Sequence, residues 1–150
     1  MATTRKSKVE SIAKPDAIVT RFLHAIADRD YATMAALLDP DLVYTNVSLP
    51  TIRGGGRVAR LFEQGLSRGG GFGVKIHSIA VNGDTVLTER TDLLKVGPFQ
   101  MCFWVCGTFR VQDGRIVLWR DYFDWMDIGR ASLRGLAGIA LPGLRAKLPD

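Results

Sequence analysis

The chain has 150 residues, of which 47% are hydrophobic and 23% are charged, and this balance predicts one globular domain with a sizeable core. Its formal net charge is +5, with basic residues at both ends and in a group of arginines at positions 53 to 68. We interpret most of this excess as solvated faces and tails, so composition argues against a disordered or nucleic-acid-binding chain.

The N-terminus and the two cysteines bear on the cellular compartment. Residues 1–13 are predicted to form a flexible arm, and they lack the apolar segment of a secretory signal. No stretch reaches the ~18 apolar residues of a membrane span. Cys102 and Cys106 share one face of a predicted strand but lie about 13 Å apart at ~3.3 Å rise per residue, too far for a disulfide. Free thiols predict a reducing, cytoplasmic location.

Three amphipathic helices are predicted in the first half. The first begins near Pro15, because proline suits a first helical turn and apolar residues then recur at helical spacing up to Ile26. A short second helix starts after Asp30 as N-cap and ends before Pro40. The third covers residues 57–68 and follows a loop rich in glycine and proline.

The rest of the domain is predicted to be β-structure. One extended segment starts at Asp41, and four longer strands fill the second half, where Asn82-Gly83 and Asp113-Gly114 are strong hairpin signals. Helices followed by a meander of strands predict an α+β fold, in which helices close one side of a curved, mostly antiparallel sheet and leave a concave pocket. The four strands are residues 72–81, 85–96, 99–111 and 115–124.

The domain organisation follows from these elements. We expect a flexible arm at residues 1–13, a single main domain at residues 14–127, and a C-terminal helical tail at residues 128–150. The tail carries apolar residues among several glycines, and it is expected to pack on the domain or at a dimer interface.

Asp121 is the residue that most needs a functional explanation. Strand alternation sets it on the same face as Trp119 and Phe123, and a carboxylate in apolar surroundings is costly unless it is paired. Two further segments also place polar side chains two residues apart and thus on one face. The three pairs are Tyr44 with Asn46, Arg90 with Asp92, and Trp119 with Asp121.

A pocket formed by these three faces would be suited to coupled acid and base chemistry. Arg90 can bridge two carboxylates with its planar fork, and two acids that share one arginine in a dry site tend to retain one proton. This set predicts addition of water to a strained, uncharged electrophile without a metal. Asp121 would be the base, Tyr44 and Asn46 would hold the water, and Asp92 would be the acid. Taken singly, each residue also fits a structural role, such as an ordinary cross-strand ion pair.

At these residues the chain resembles the limonene epoxide hydrolase family. The matching segments are VYTN at 43–46, LTERTD at 87–92 and LWRDYFD at 118–124, and the resemblance runs from about residue 16 to residue 127. It implies a cone-like curved sheet of the NTF2 and SnoaL type. It also implies a concerted hydrolysis of an epoxide to a vicinal diol, with no covalent enzyme ester and no cofactor, in a homodimer.

The resemblance implies the same roles for the polar residues as their chemistry does. Asp121 matches the base of the family, Tyr44 and Asn46 match the positions that help to hold the water, and Arg90 and Asp92 match the bridging arginine and the acid. The substrate pocket is expected to be hydrophobic and lined by Trp119, Phe123, Leu94, Phe103 and Val105.

The substrate and two rival functions stay open at this level. Phe103, Trp104 and the tail after Asp127 depart from the limonene-hydrolysing pattern, which suggests a larger, lipid-like or steroid-like epoxide. An isomerase or cyclase of the same fold, resembling ketosteroid isomerase or SnoaL, would shuttle a proton with one aspartate. A non-catalytic module would bind a small hydrophobic ligand. No nucleic acid, metal or obligatory membrane partner is expected.

Overall fold

The computed structural model describes residues 13–150, so the predicted N-terminal arm lies outside the described residues except for Ala13. Within these residues there are four α-helices and six strands, and a short 3-10 turn follows the last helix. The helices are α1 (Pro15–Ala27), α2 (Tyr31–Leu37), α3 (Gly55–Ser67) and α4 (Trp125–Ala140). The strands are β1 (Leu38–Asn46), β2 (Ile52–Arg53), β3 (Gly70–Asn82), β4 (Thr85–Val96), β5 (Phe99–Gln112) and β6 (Arg115–Phe123).

The six strands form one mixed sheet in the order β2-β1-β6-β5-β4-β3. Only the pairing of β1 with β6 is parallel among the described strands, so the predicted α+β fold with a mostly antiparallel sheet is confirmed. Both hairpin signals are confirmed as well. Asp113 and Gly114 have φ values of 49° and 77°, the left-handed conformation that a tight hairpin between right-twisted strands requires.

The first strand differs from its prediction. It begins at Leu38, three residues before the predicted start at Asp41, because the Leu38 side chain is buried and its backbone pairs with Ile116 of β6. A register shift between Leu38 and Val43 accommodates Pro40, which has no amide hydrogen to give to a ladder. The predicted loop between β1 and α3 also contains the short edge strand β2, which pairs with β1.

The core lies between α1 and the concave face of the sheet. Helix α1 buries Phe22 and Leu23 completely, and Phe22 packs edge-on against Trp119 of β6 with ring centroids 5.1 Å apart. Burying each of these side chains contributes about 1.5–3 kcal/mol. The predicted N-cap of α2 is confirmed, because the Asp30 carboxylate accepts a hydrogen bond from the Thr33 amide at 3.0 Å. These contacts hold the helices against the sheet and leave the cavity beside them.

Helix α4 packs on β5. Asp124 caps it by accepting from the Met126 and Asp127 amides, and Gly135 allows close approach, since a Cβ there would lie 2.6 Å from the Phe99 ring. The helix therefore starts before the predicted tail boundary at residue 128, and the division into domain and tail stays a prediction. Within residues 13–150, no helix combines the length and the apolar character needed to cross a membrane.

Candidate active site

The polar faces of β1, β4 and β6 meet at the concave side of the sheet. Asn46 of β1 is the register partner of Asp121 of β6 in the parallel ladder, so these two side chains are neighbours. Arg90 and Asp92 lie on β4, which is separated from β6 by β5. The arginine crosses that gap and contacts both aspartates. The structure therefore brings Arg90 into contact with Asp121, which lies 31 positions further along the chain.

Gly107 of β5 makes this crossing possible. Its register partners are Thr88 on β4 and Asp121 on β6, so it lies on the line between the two strands. A Cβ at position 107 would lie 2.4 Å from Arg90 Nη1 and 2.8 Å from Thr88 Oγ1, closer than such atoms can approach. The Arg90 guanidinium fills the space that a side chain at position 107 would occupy.

Three hydrogen bonds fix the Arg90 guanidinium. Arg90 Nε donates to Asp92 Oδ1 at 2.8 Å, Nη2 donates to Asp121 Oδ2 at 2.7 Å, and Nη1 donates to Thr88 Oγ1 at 3.2 Å. The arginine is completely buried, and its two carboxylate partners are 3–4% exposed. A buried charge is tolerated when it is paired and hydrogen-bonded, and the two carboxylates and the hydroxyl provide this pairing for the guanidinium.

Burial and neighbouring charges set the protonation of Asp92 and Arg90. Burial of Asp92 outweighs the stabilising contact with Arg90 and raises the pKa of its carboxyl to about 6. For Arg90, burial opposes the charge, but the adjacent Asp121 and Asp92 carboxylates raise its pKa, so the guanidinium stays charged. The network thus holds a permanent cation between two acids, one of which carries a proton easily near neutral pH.

Tyr44 and Asn46 form a second polar pair beside the aspartates. Asn46 Nδ2 donates to the Tyr44 hydroxyl at 2.9 Å, and burial raises the pKa of Tyr44, which keeps the phenol neutral. Asp121 Oδ1 is buried and has no hydrogen-bond partner within residues 13–150. Asp121 lines the cavity, and a free acceptor on it, beside a hydroxyl and an amide, is suited to bind a small polar molecule such as water.

A cavity of about 220 Å³ opens over these polar groups. Four of the five predicted pocket residues line it, whereas Val105 is completely buried and lies outside the lining. The aromatic wall is continuous, because the Trp119 ring packs against Tyr44 at 4.3 Å and Phe62 at 5.4 Å between centroids. The lining consists of Tyr44, Asn46, Phe62, Phe72, Asp92, Leu94, Phe103, Trp119, Asp121 and Phe123.

Sequence reasoning missed four residues of this site. Phe62 falls in the predicted third helix and Phe72 at the start of a predicted strand, and nothing in the sequence marks them as site residues, although both line the cavity. Thr88 and Gly107 support Arg90 without reaching the cavity. A signal for Thr88 was present, because it lies two residues before Arg90 and strand alternation puts both on one face.

The two cysteines lie apart from this chemistry. Cys102 and Cys106 are free and half-buried, which confirms the prediction that they are not joined. Burial raises the pKa of both thiols, so neither is an activated nucleophile. His77 contacts Thr91 on the exposed side of the sheet rather than any acid of the site.

Several known proteins are similar to this chain in sequence and in fold. A family model described as the limonene-1,2-epoxide hydrolase catalytic domain matches residues 13–134. Epoxide hydrolase EphG of Mycobacterium tuberculosis is 52% identical over 130 residues, which cover 87% of each chain.

Solved structures agree with these sequence comparisons. The structure of an M. tuberculosis LEH-like epoxide hydrolase superimposes with a TM-score of 0.86 and 49% identity, covering 89% of this chain and 95% of that chain. An NTF2-like protein of unknown function from Cytophaga hutchinsonii has a TM-score of 0.64 at 15% identity, covering 80% of this chain and 98% of that one. The second match shows the NTF2-like fold alone. Together these findings establish that the chain belongs to the limonene-1,2-epoxide hydrolase family of cofactor-independent enzymes.

Proposed function

We propose that this protein is an epoxide hydrolase that adds water to a hydrophobic epoxide in one concerted acid–base step and releases a vicinal diol. The observation that carries the proposal is the buried Arg90, which links two carboxyl groups at the floor of an apolar cavity. The M. tuberculosis relative that is 52% identical to this chain is named an epoxide hydrolase, which supports the same reaction.

Asp121 is the proposed base. Its Oδ2 is held by Arg90, its buried Oδ1 has no hydrogen-bond partner within residues 13–150, and the residue lines the cavity. Water bound there would also reach the Tyr44 hydroxyl and the Asn46 amide, so three groups would fix its orientation. The water oxygen forms the new bond to an epoxide carbon as its proton passes to Asp121.

Asp92 is the proposed acid. Its pKa of about 6 leaves a useful protonated fraction near neutral pH, and Arg90 occupies only Oδ1 of the carboxyl group. The proton of Asp92 passes to the epoxide oxygen as the C–O bond breaks, which yields the diol hydroxyl. Return of the proton from Asp121 to Asp92 then restores the enzyme, with every atom and charge accounted for.

Replacing the base and tracing the oxygen tests this proposal. In H₂¹⁸O the wild-type protein should give a diol with one labelled oxygen, and Asp121→Asn should lose about 10²- to 10⁴-fold in kcat because general base catalysis is removed. An isomerase or cyclase of the same fold would give an unlabelled product. A module that only binds ligands would bind the epoxide without turnover. Full activity of Asp121→Asn would contradict the assignment of the base.

Assembly and location are part of the same proposal. A homodimer is supported by exposed apolar side chains on and after α4, which are costly to leave in water over a continuous patch. The free cysteines support a cytoplasmic location. The exposed apolar side chains are Met126, Leu133, Leu136, Ile139, Leu141 and Leu144.

A further inference from the structure

The catalytic cavity continues into a groove along α3. The groove has a volume of about 310 Å³, is mostly apolar, and shares Tyr44, Asn46, Phe62 and Leu94 with the cavity. The cavity of about 220 Å³ is smaller than the ~300–1,000 Å³ of typical small-molecule sites, whereas cavity and groove together fall within that range. This geometry predicts a substrate that extends beyond the reacting centre and into the groove.

The outer end of the groove is basic. A depression of about 250 Å³ shares Ile52 and Leu61 with the groove and is lined further by Arg57, Arg60 and Gln64. Residues 57, 60, 61 and 64 follow helical spacing, so they form one stripe of α3. Phe62, on the next stripe, packs against Trp119 in the cavity. Helix α3 therefore connects the aromatic wall of the catalytic cavity to two guanidinium groups.

Arg57 and Arg60 form no ion pair with the part of the chain that the structure describes, and no carboxylate of that part is among the residues that line the depression. A role as part of a solvated face therefore does not account for the position of Arg57 and Arg60 at the open end of the apolar groove. Arginine presents a planar fork of donors that matches a carboxylate, and an unpaired pair of them attracts an anion.

We propose that the groove binds the alkyl chain of an amphipathic epoxide, and that Arg57 and Arg60 bind a carboxylate at the far end of that chain. This inference rests on the proposed function, because it assumes that the epoxide ring lies at Asp92 and Asp121. The substrate class is then an epoxide of a long-chain carboxylic acid. Arg57 and Arg60 act as specificity residues, since they touch the substrate far from the reacting bond.

Binding and turnover of matched pairs test the proposal. The ligands are straight-chain alkanoic acids and the alcohols of equal length, measured by titration calorimetry, and the substrates are ω-epoxy acids with their methyl esters. The variants are the double substitution Arg57→Gln with Arg60→Gln, and Arg115→Gln as control, which removes a charge at the exposed start of β6. All three positions are exposed, so each variant should fold.

The wild-type protein should bind the acid about three- to tenfold more tightly than the alcohol, as two exposed charge contacts allow. The preference should disappear in the double variant and in 0.5 M salt, and it should persist in Arg115→Gln. Equal binding of acid and alcohol, or a preference that survives in the double variant, would overturn the proposal. Turnover of neutral epoxides without a preference for acids would overturn this inference and leave the proposed function standing. A preference for acids without any epoxide turnover would overturn the proposed function and the assignment of the substrate as an epoxide, and would leave only the carboxylate site at Arg57 and Arg60.

Discussion

Replacement of Asp92 by asparagine separates the acid from the rest of the site. The two side chains have nearly the same shape, and the asparagine Oδ1 can still accept the 2.8 Å hydrogen bond from Arg90 Nε. What is lost is the proton that the carboxyl group delivers to the epoxide oxygen. General acid catalysis typically contributes about 10²- to 10⁴-fold, so we expect kcat of Asp92→Asn to fall by that factor.

The same substitution changes how stability depends on pH. Burial raises the pKa of Asp92 to about 6, above the ~3.9 of an unfolded aspartate. Between these values the folded state binds more protons than the unfolded state, so the free energy of unfolding falls as pH rises from about 4 to 6. A shift of about two units corresponds to roughly 3 kcal/mol. Asparagine has no such proton, and the variant should lose this part of the pH dependence.

Two independent measurements follow from Asp92→Asn. Turnover is measured as diol formed at saturating epoxide, and stability is measured by urea unfolding at pH 4, 5, 6 and 7. In the wild-type protein kcat/KM should also decline above about pH 6, because the protonated acid is required. Asp41→Asn is the matched control, since Asp41 is exposed on β1, and it should change neither property. Undiminished turnover by Asp92→Asn, or an unchanged pH dependence of its stability, would refute this account of the acid.

Two residues that support Arg90 give further predictions. Thr88→Val removes the hydroxyl that accepts a hydrogen bond from Arg90 Nη1, so kcat should fall with little change in KM. The decline of kcat/KM should also move to higher pH, because a less firmly held Arg90 stabilises the Asp92 carboxylate less well. Thr88→Ser, which keeps the hydroxyl, should restore both kcat and the pH profile. Gly107→Ala introduces a Cβ 2.4 Å from Arg90 Nη1, and we expect a loss of about 1–3 kcal/mol in stability together with a loss of activity. Gly56→Ala, where no atom lies within 4 Å of the new Cβ, should be neutral or stabilising by comparison. Wild-type pH profiles in Thr88→Val, or full activity in Gly107→Ala, would contradict the positioning role.

Strand periodicity explains how much of the site could be predicted. In a strand the side chains at i and i+2 share a face, so the pairing of Arg90 with Asp92 could be derived from spacing alone. The turns at Gly83, Gly97 and Gly114 join consecutive strands as hairpins and therefore fix the order of β3 to β6. That order already places β5 between the two strands that carry the aspartates. Strand alternation and turn geometry depend on residues that are close in the sequence, so the folded chain follows both rules.

The parts that were not predicted depend on tertiary packing. Whether an inward side chain borders the cavity or lies behind its wall is decided by neighbouring strands, and Val105 is completely buried between Arg90 and Phe123 as their register partner. The early start of β1 follows from the burial of Leu38 against β6, which overrides the break expected near Pro40. The site of the α3 arginines at the end of the groove likewise depends on how that helix is placed.

The charge balance of the site explains why one arginine serves two acids. With Arg90 charged, one carboxylate ionised and one carboxyl protonated, the buried network carries no net charge, and this is the state that low dielectric surroundings favour. In the proposed reaction Asp92 gives up a proton while Asp121 gains one, so the network is neutral before and after the bond changes. A neutral epoxide and water enter, a neutral diol leaves, and no step leaves an unpaired charge in the cavity. Removal of Arg90 would leave a buried negative charge at every stage, so the arginine is required by the chemistry as well as by the fold.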